Sequence, residues 1–221
     1  MKIGVGFTTY NRREHLNTAL AFLESNSHNV KLYVAYDSDK DRKGIAARKT
    51  ECLRELQDCD YIFLFDDDCF PIKQGWEQLF IDSYKYTGQH HFIYQHETSG
   101  VGIKEIKDGV ISYDNCNGCM MFITQEALKK VGAFNPNFGL YGLEHANYSN
   151  RIHLAGLSPI GQYVCPIGAE KYIYSMDIDH YLPEVQKKVK HKPSIKPIEA
   201  VKLARQNMSV YQNDKTIYYP L

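Results

Sequence analysis

Tyr61-Ile62-Phe63-Leu64-Phe65-Asp66-Asp67-Asp68-Cys69-Phe70-Pro71 decides how this chain is read. Five apolar residues in succession, rich in aromatic and branched side chains, predict a strand buried on both faces. The strand runs straight into three carboxylates, which repel one another unless a cation or hydrogen-bond donors offset their charge. Hard divalent ions such as Mg2+ or Mn2+ take such oxygen ligands, typically one or two carboxylates together with phosphate oxygens. A solvated acidic turn is the plain alternative for a bare run of aspartates. Position favours a metal–phosphate site, because open α/β sheets bind ligands beyond the C-terminal ends of their strands.

Upstream, residues 2–7 read as a first strand, with Gly4 and Gly6 in it. A dinucleotide fingerprint is rejected there, since Thr9 stands where its third glycine belongs. Thr8-Thr9-Tyr10-Asn11-Arg12 reads as a polar loop before a helix carrying Leu16, Ala19, Leu20 and Leu23 on one side. Hydroxyls, backbone N–H groups and an arginine at such a turn suit an anionic ligand. A second strand over 31–36 ends in Asp37-Ser38-Asp39, and Gly44 opens a helix with Ile45, Arg48, Cys52, Leu53 and Leu56. Arg48 and Lys49, one turn in, read either as a solvated helix face or as contacts to an anion.

Downstream, residues 74–86 are helical, 92–94 a strand, 101–113 a hairpin turning at Asp108-Gly109, and 119–123 a strand before a helix from Gln125 to Val131. A glycine- and aromatic-rich loop over 132–142 then delivers Glu144-His145 to the start of another helix. Acid beside imidazole is a candidate general-base pair, although such a pair is also common in structural settings. Strand–helix repetition predicts an α/β fold: a mostly parallel central sheet flanked by helices, with an inserted hairpin. The domain is expected to span 1–185, with a basic extension over 186–221 holding a helix near 198–206.

Bulk properties bound the function. Lys+Arg and Asp+Glu both number 26, so no global positive field recommends a nucleic-acid backbone as the main partner. Six scattered cysteines with a single C-x-x-C, Cys116 and Cys119, read as reduced structural thiols. Neither a signal-peptide pattern nor an apolar run of about 18 residues is present, so a soluble, cytoplasmic protein is expected.

The blocks T-T-Y-N-R, G-I-A-A-R, F-L-F-D-D-D, N-G-C-M-M-F, G-A-F-N-P-N-F, Y-G-L-E-H and D-H occur in order from about residue 2 to 181. Together they resemble the GT-A nucleotide-sugar glycosyltransferases, especially family 2 and the chondroitin-polymerase and polypeptide GalNAc-transferase catalytic domains. The resemblance implies a GT-A fold and transfer of a sugar from a nucleoside-diphosphate sugar, a UDP-sugar, to an acceptor hydroxyl. It places Thr8, Tyr10 and Arg12 in the nucleotide pocket, Asp37 or Asp39 at the base, and Arg48 at the diphosphate or ribose. Asp66 and Asp68 become the ends of a DXD motif, with Asp66 at the donor, Asp67 as spacer, and Asp68 on Mn2+ or Mg2+. His180 is the candidate to complete the metal shell, and Asn117-Gly118 lines the donor-sugar pocket.

The sequence departs from that pattern at the acceptor end. Inverting relatives often carry E-D where this chain has Glu144-His145, so either residue is a candidate base. Gly142, Glu144, Ser149 and Arg151 echo the spacing of the retaining GalNAc-transferases, and inversion is the favoured expectation. A nucleotidyltransferase and a degenerate, non-catalytic sugar-nucleotide or glycan binder are the competing classes. The acceptor is a glycan, a protein or an anionic polymer such as DNA.

Overall fold

A computed structural model of the chain describes residues 1–96, 99–177 and 192–221. Five strands form the central sheet: β1 (Ile3–Tyr10), β2 (Val30–Asp37), β3 (Tyr61–Asp66), β5 (His91–Ile93) and β8 (Met120–Thr124), in the order β2-β1-β3-β8-β5. β1 runs parallel to β2 and β3, whereas β8 is antiparallel to both β3 and β5. Thr8–Tyr10, read from sequence as a loop, is instead the end of β1 and pairs with Ala35–Asp37 of β2.

Strand β3 divides the core by its two-residue period. Phe63 and Phe65 enter one apolar cluster with Val5 and Phe7, covered by α1 (Arg13–Asn26) and α3 (Trp76–Thr87). Ile62 and Leu64 enter the other, covered by α2 (Ile45–Leu56), α4 (Gln125–Val131) and α5 (Glu144–Leu154). Four successive positions, Ile62–Phe65, are therefore fully buried, as expected of a central strand between helix layers. Gly4 and Gly6 serve this packing: a Cβ on Gly6 would lie 2.8 Å from Cys52 Cβ, so α2 can approach β1 closely.

Two smaller sheets complete the frame. The hairpin of β6 (Ile103–Lys107) and β7 (Val110–Tyr113) turns at Asp108 and Gly109, both with positive φ (51° and 76°), and pairs with β9 (Val164–Pro166). β4 (Cys69–Pro71) pairs antiparallel with β10 (Ile173–Ser175), and the Met176 N–H donates to the Asp68 carbonyl at 2.9 Å. The chain immediately after the three aspartates is thus tied to β10 and its continuation at Met176.

The C-terminal helix α6 (Pro197–Asn213) exceeds the expected 198–206 and packs back on the body. Asn207 Nδ2 donates to the carbonyls of Phe138, Tyr141 and Gly142 at 2.8–3.0 Å, tying α6 to the loop before α5. The Ala133 N–H donates to the Tyr219 carbonyl at 2.8 Å, so the last residues join the same body. The expected boundary at 185/186 lies outside the described residues. Among the described residues, no helix is long and apolar enough to cross a membrane.

Candidate active site

A cavity of about 300 Å3 opens at the C-terminal ends of β1, β2 and β3. Thr8, Tyr10, Arg12, Asp37, Arg48, Asp66 and Asp68 line one side. Asn117, Glu144 and His145 line it as well, together with Ser194, Ile195 and Ala204 from the C-terminal segment. The fold therefore brings most of the sequence-predicted positions to one place. His180 lies outside the described residues.

The three aspartates have distinct surroundings. Asp66, at the end of β3, accepts from Thr8 Oγ1 at 3.0 Å and from Lys49 Nζ at 3.0 Å. Asp67 is fully buried and does not line the cavity; it accepts from Thr9 Oγ1 at 2.5 Å and from the Arg12 guanidinium. Asp68, 2% exposed, accepts from Arg12 Nη1 at 2.6 Å. Burial pushes the Asp67 carboxyl up against the opposing pull of Arg12. Burial also opposes the charge on Arg12, but Asp68 and Asp67 outweigh it and hold the guanidinium firmly protonated. The guanidinium in turn donates from Nη1 to the Lys192 carbonyl at 3.0 Å, which brings the C-terminal segment against the cavity.

At the end of β2, Asp37 accepts from the backbone N–H groups of Lys43 and Gly44 at 2.8 and 3.0 Å, and from Arg48 at 3.3 Å. Arg48 also donates to Asp41 and Glu51, both at 2.8 Å, so this arginine braces the loop that enters α2. Tyr10 donates to Asp39 at 2.5 Å and carries the Arg42 guanidinium 3.5 Å over its ring centroid. Arg42 lines the cavity and was missed by the sequence reading.

The opposite wall of the cavity is built on the start of α5. Leu143 precedes it with φ 70°, a left-handed turn that sets Glu144 and His145 at the helix entrance. Glu144 is 1% exposed, and its Oε1 lies 2.7 Å from His145 Nδ1. Its other oxygen, Oε2, is buried and has no hydrogen-bond partner among the described residues. Burial disfavours the Glu144 charge, yet His145 and Lys49 outweigh it and hold the carboxyl below its ordinary value. Lys49 is itself fully buried and lies 2.6 Å from His145 Nε2 through Nζ. Its side chain lies in the core, not on a solvated helix face.

Gly118 gives the imidazole its seat. With φ 70°, a Cβ there would fall 2.2 Å from His145 Cγ. Gly118→Ala is therefore expected to destabilise the fold by about 3 kcal/mol from overpacking and left-handed strain. A thermal melt compared with the unsubstituted protein checks this, and an unchanged melting temperature would show that the imidazole can move aside.

Asp68, lining the cavity next to Asp66, offers the oxygen-donor chemistry that suits a hard divalent ion drawing its other ligands from phosphate oxygens. Among the described residues, no group of three or more His, Cys, Asp or Glu able to hold a metal occurs. Asp66, and Asp68 paired with Arg12, thus share one polar cavity with the Glu144–His145 pair.

The arrangement of sheet and helices is the GT-A fold. Solved structures similar to the chain include the mannosyltransferase PcManGT from Pyrobaculum calidifontis in complex with GDP-Man and Mn2+ (TM-score 0.58, 10% identity, 76% of this chain and 55% of that one). GalNAc-T7 with UDP, GalNAc and Mn2+ matches with TM-score 0.61 and 10% identity over 96% of this chain and 50% of its own. TarS of S. aureus matches with TM-score 0.59 and 13% identity, over 79% of this chain and 36% of its own. The chain thus spans roughly a third to a half of these structures. A curated protein of Acanthamoeba polyphaga mimivirus, described as an uncharacterized glycosyltransferase, is 23% identical over 192 residues, covering 68% of this chain and 73% of that protein. No family model matches the chain.

Proposed function

We propose that the chain is a metal-dependent, inverting glycosyltransferase that moves a sugar from a nucleoside-diphosphate sugar, a UDP-sugar, to an acceptor hydroxyl. The observation that carries this reading is one cavity lined by Asp66 and Asp68 on the donor side and by Glu144, with its unpartnered buried oxygen, on the other. Asp68 would hold Mn2+ or Mg2+, and that ion would supply charge neutralisation on the diphosphate when bound. Asp66, oriented by Thr8 and Lys49, binds donor hydroxyls. Tyr10 and Arg42 form a cation–aromatic platform beside Asp37, suited to the nucleoside. Glu144 Oε2 takes the proton of the acceptor hydroxyl as its oxygen forms the new bond to the anomeric carbon. The bond from that carbon to the phosphate oxygen breaks, and its electron pair leaves with the nucleoside diphosphate.

Glu144 is favoured over His145 as base because the imidazole has both nitrogens engaged, by Lys49 and by Glu144 itself. Inversion is favoured over retention because two of the four residues echoing the retaining pattern, Ser149 and Arg151, are committed to the core. Ser149 Oγ lies 2.7 Å from His91 Nε2, and Arg151 donates to the carbonyls of Val131, Ala133 and Ile217.

A panel of UDP- and GDP-sugars tests the reading. In the presence of Mn2+, the correct donor at about 100 times its Kd is expected to stabilise the protein by about 2.7 kcal/mol and to release nucleotide. Stabilisation without release would indicate a binding module. No shift with any donor, with or without metal, would remove the reading.

A further inference from the structure

Lys49 projects from α2 into the core, fully buried, where its ammonium meets three acceptors: Asp66 Oδ1 at 3.0 Å, the Gly118 carbonyl at 2.9 Å and His145 Nε2 at 2.6 Å. An ammonium has three N–H donors and no lone pair, so its donors are fully used and Nε2 must be the accepting, unprotonated nitrogen of the ring. The ring proton then sits on Nδ1 and is donated to Glu144 Oε1, 2.7 Å away. Imidazole orientation and tautomer are set in this way by whatever the second nitrogen binds.

We propose that Lys49 is a positioning residue for the transfer: it fixes His145 as the Nδ1–H tautomer, which holds one Glu144 oxygen and leaves Oε2 to receive the acceptor's proton. The proposal rests on Glu144 as the base. Through Asp66, the same ammonium also joins the donor side to the acceptor side, so a single buried cation sets the geometry of both. Among the described residues, the ionisable groups around this pair are Lys49 from α2, Cys116 from the turn before β8, and Tyr141 from the loop before α5, with Asp66 reached through Lys49. Lys49 is the cation among them that bonds the ring directly, so its removal leaves Nε2 open to protonation.

Two measurements test this. In 15N spectra of the unsubstituted protein without ligand, the His145 signals, assigned by their loss in His145→Asn, are expected to show a protonated Nδ1 and a bare Nε2 between about pH 6 and 8. An Nε2–H tautomer or an imidazolium in that range overturns the proposal. For Lys49→Met, nucleotide release from UDP-GalNAc or GDP-mannose with Mn2+, whichever the unsubstituted protein turns over, is expected to fall on the order of 10²-fold. Its rate profile is expected to gain an acid limb that the unsubstituted protein lacks, from protonation of the freed Nε2. The Lys49→Met/His145→Asn double variant is expected to be no slower than Lys49→Met, because the two act as a unit. Unchanged turnover, an unchanged pH profile or additive losses would overturn the assignment, and if Lys49→Met does not fold, the tautomer decides. An active Glu144→Gln would remove the base reading while leaving the tautomer test standing. An inactive Glu144→Gln with the wrong tautomer would remove Lys49 alone.

Discussion

Glu144→Gln is expected to lower transfer about 10³-fold while leaving donor binding within about twofold, since positioned proton transfer typically contributes 10²–10⁴-fold. Gln keeps the length and planar end of Glu, and its carbonyl oxygen can still accept from His145 Nδ1. Orientation is retained and only the proton acceptor is lost. His145→Gln is expected to be the milder change, because His145 orients the carboxylate and holds its charge but has no unoccupied nitrogen for the acceptor's proton. The pair of variants, assayed for turnover and for donor Kd separately, assigns the base. A Glu144→Gln protein within threefold of full activity would make this loop structural, and a His145→Gln protein slower than Glu144→Gln would reverse the roles. Stability adds an independent check. The Glu144 carboxyl is held below its ordinary value in the fold, so its charge contributes stability above the unfolded carboxyl's pKa of about 4.3, lost as pH falls through the folded value. Glu144→Gln should flatten that part of the acid-unfolding curve.

The wall of the cavity built on β1 and β3 was more legible in the sequence than the wall built on α5, for physical reasons. Residues 61–66 announce a buried strand because an unbroken apolar run followed by three acids has few other solutions, and Ile62–Phe65 are buried without exception. The Asp108-Gly109 turn is equally local, since two positive φ values demand those residue types. Short strands such as β4, β9 and β10, of three residues each, carry too little periodicity to be seen, and their pairing is a tertiary fact. The extension of β1 through Tyr10 was hidden by its polar side chains, which face the site.

Lys49 was the informative miss. Beside Arg48 it resembled one of two surface cations, yet it lies on the same helical stripe as Cys52, Leu53 and Leu56. A lysine on an apolar stripe, in a chain whose neighbouring strand ends in carboxylates, is a readable sign of a buried ion pair. What could not be read was the partner on the far side, because His145 lies 96 positions away. Likewise Ser149 and Arg151 matched a spacing pattern, but spacing along a helix does not say which face meets the core.

Adjacent residues Asp67 and Asp68 should separate stability from turnover. Asp67→Asn is expected to cost about 3 kcal/mol, roughly 6–12 °C in Tm for a chain of this size. The reason is burial: Asp67 is inaccessible to water, and its two oxygens take the Arg12 fork and the Thr9 hydroxyl. Arg12 occupies both Asp67 oxygens, so the amide of Asn must set its NH2 against an Arg12 N–H, donor against donor, in a place where water cannot compensate. Asp68→Asn leaves the Arg12–Asp67 fork in place, and the Asp68 carbonyl still accepts from Met176, so the melting temperature should move by less than about 4 °C. Its turnover, however, should fall about 10³-fold at fixed Mn2+, the equivalent of about 4 kcal/mol of charge stabilisation on the leaving diphosphate. Raising Mn2+ should recover part of that loss in Asp68→Asn and none of the lost stability in Asp67→Asn. Full Mn2+-dependent turnover by Asp68→Asn would move the metal to other ligands. A large Tm loss in both variants would mean that Arg12 needs both carboxylates to fold, and that the second aspartate is structural as well.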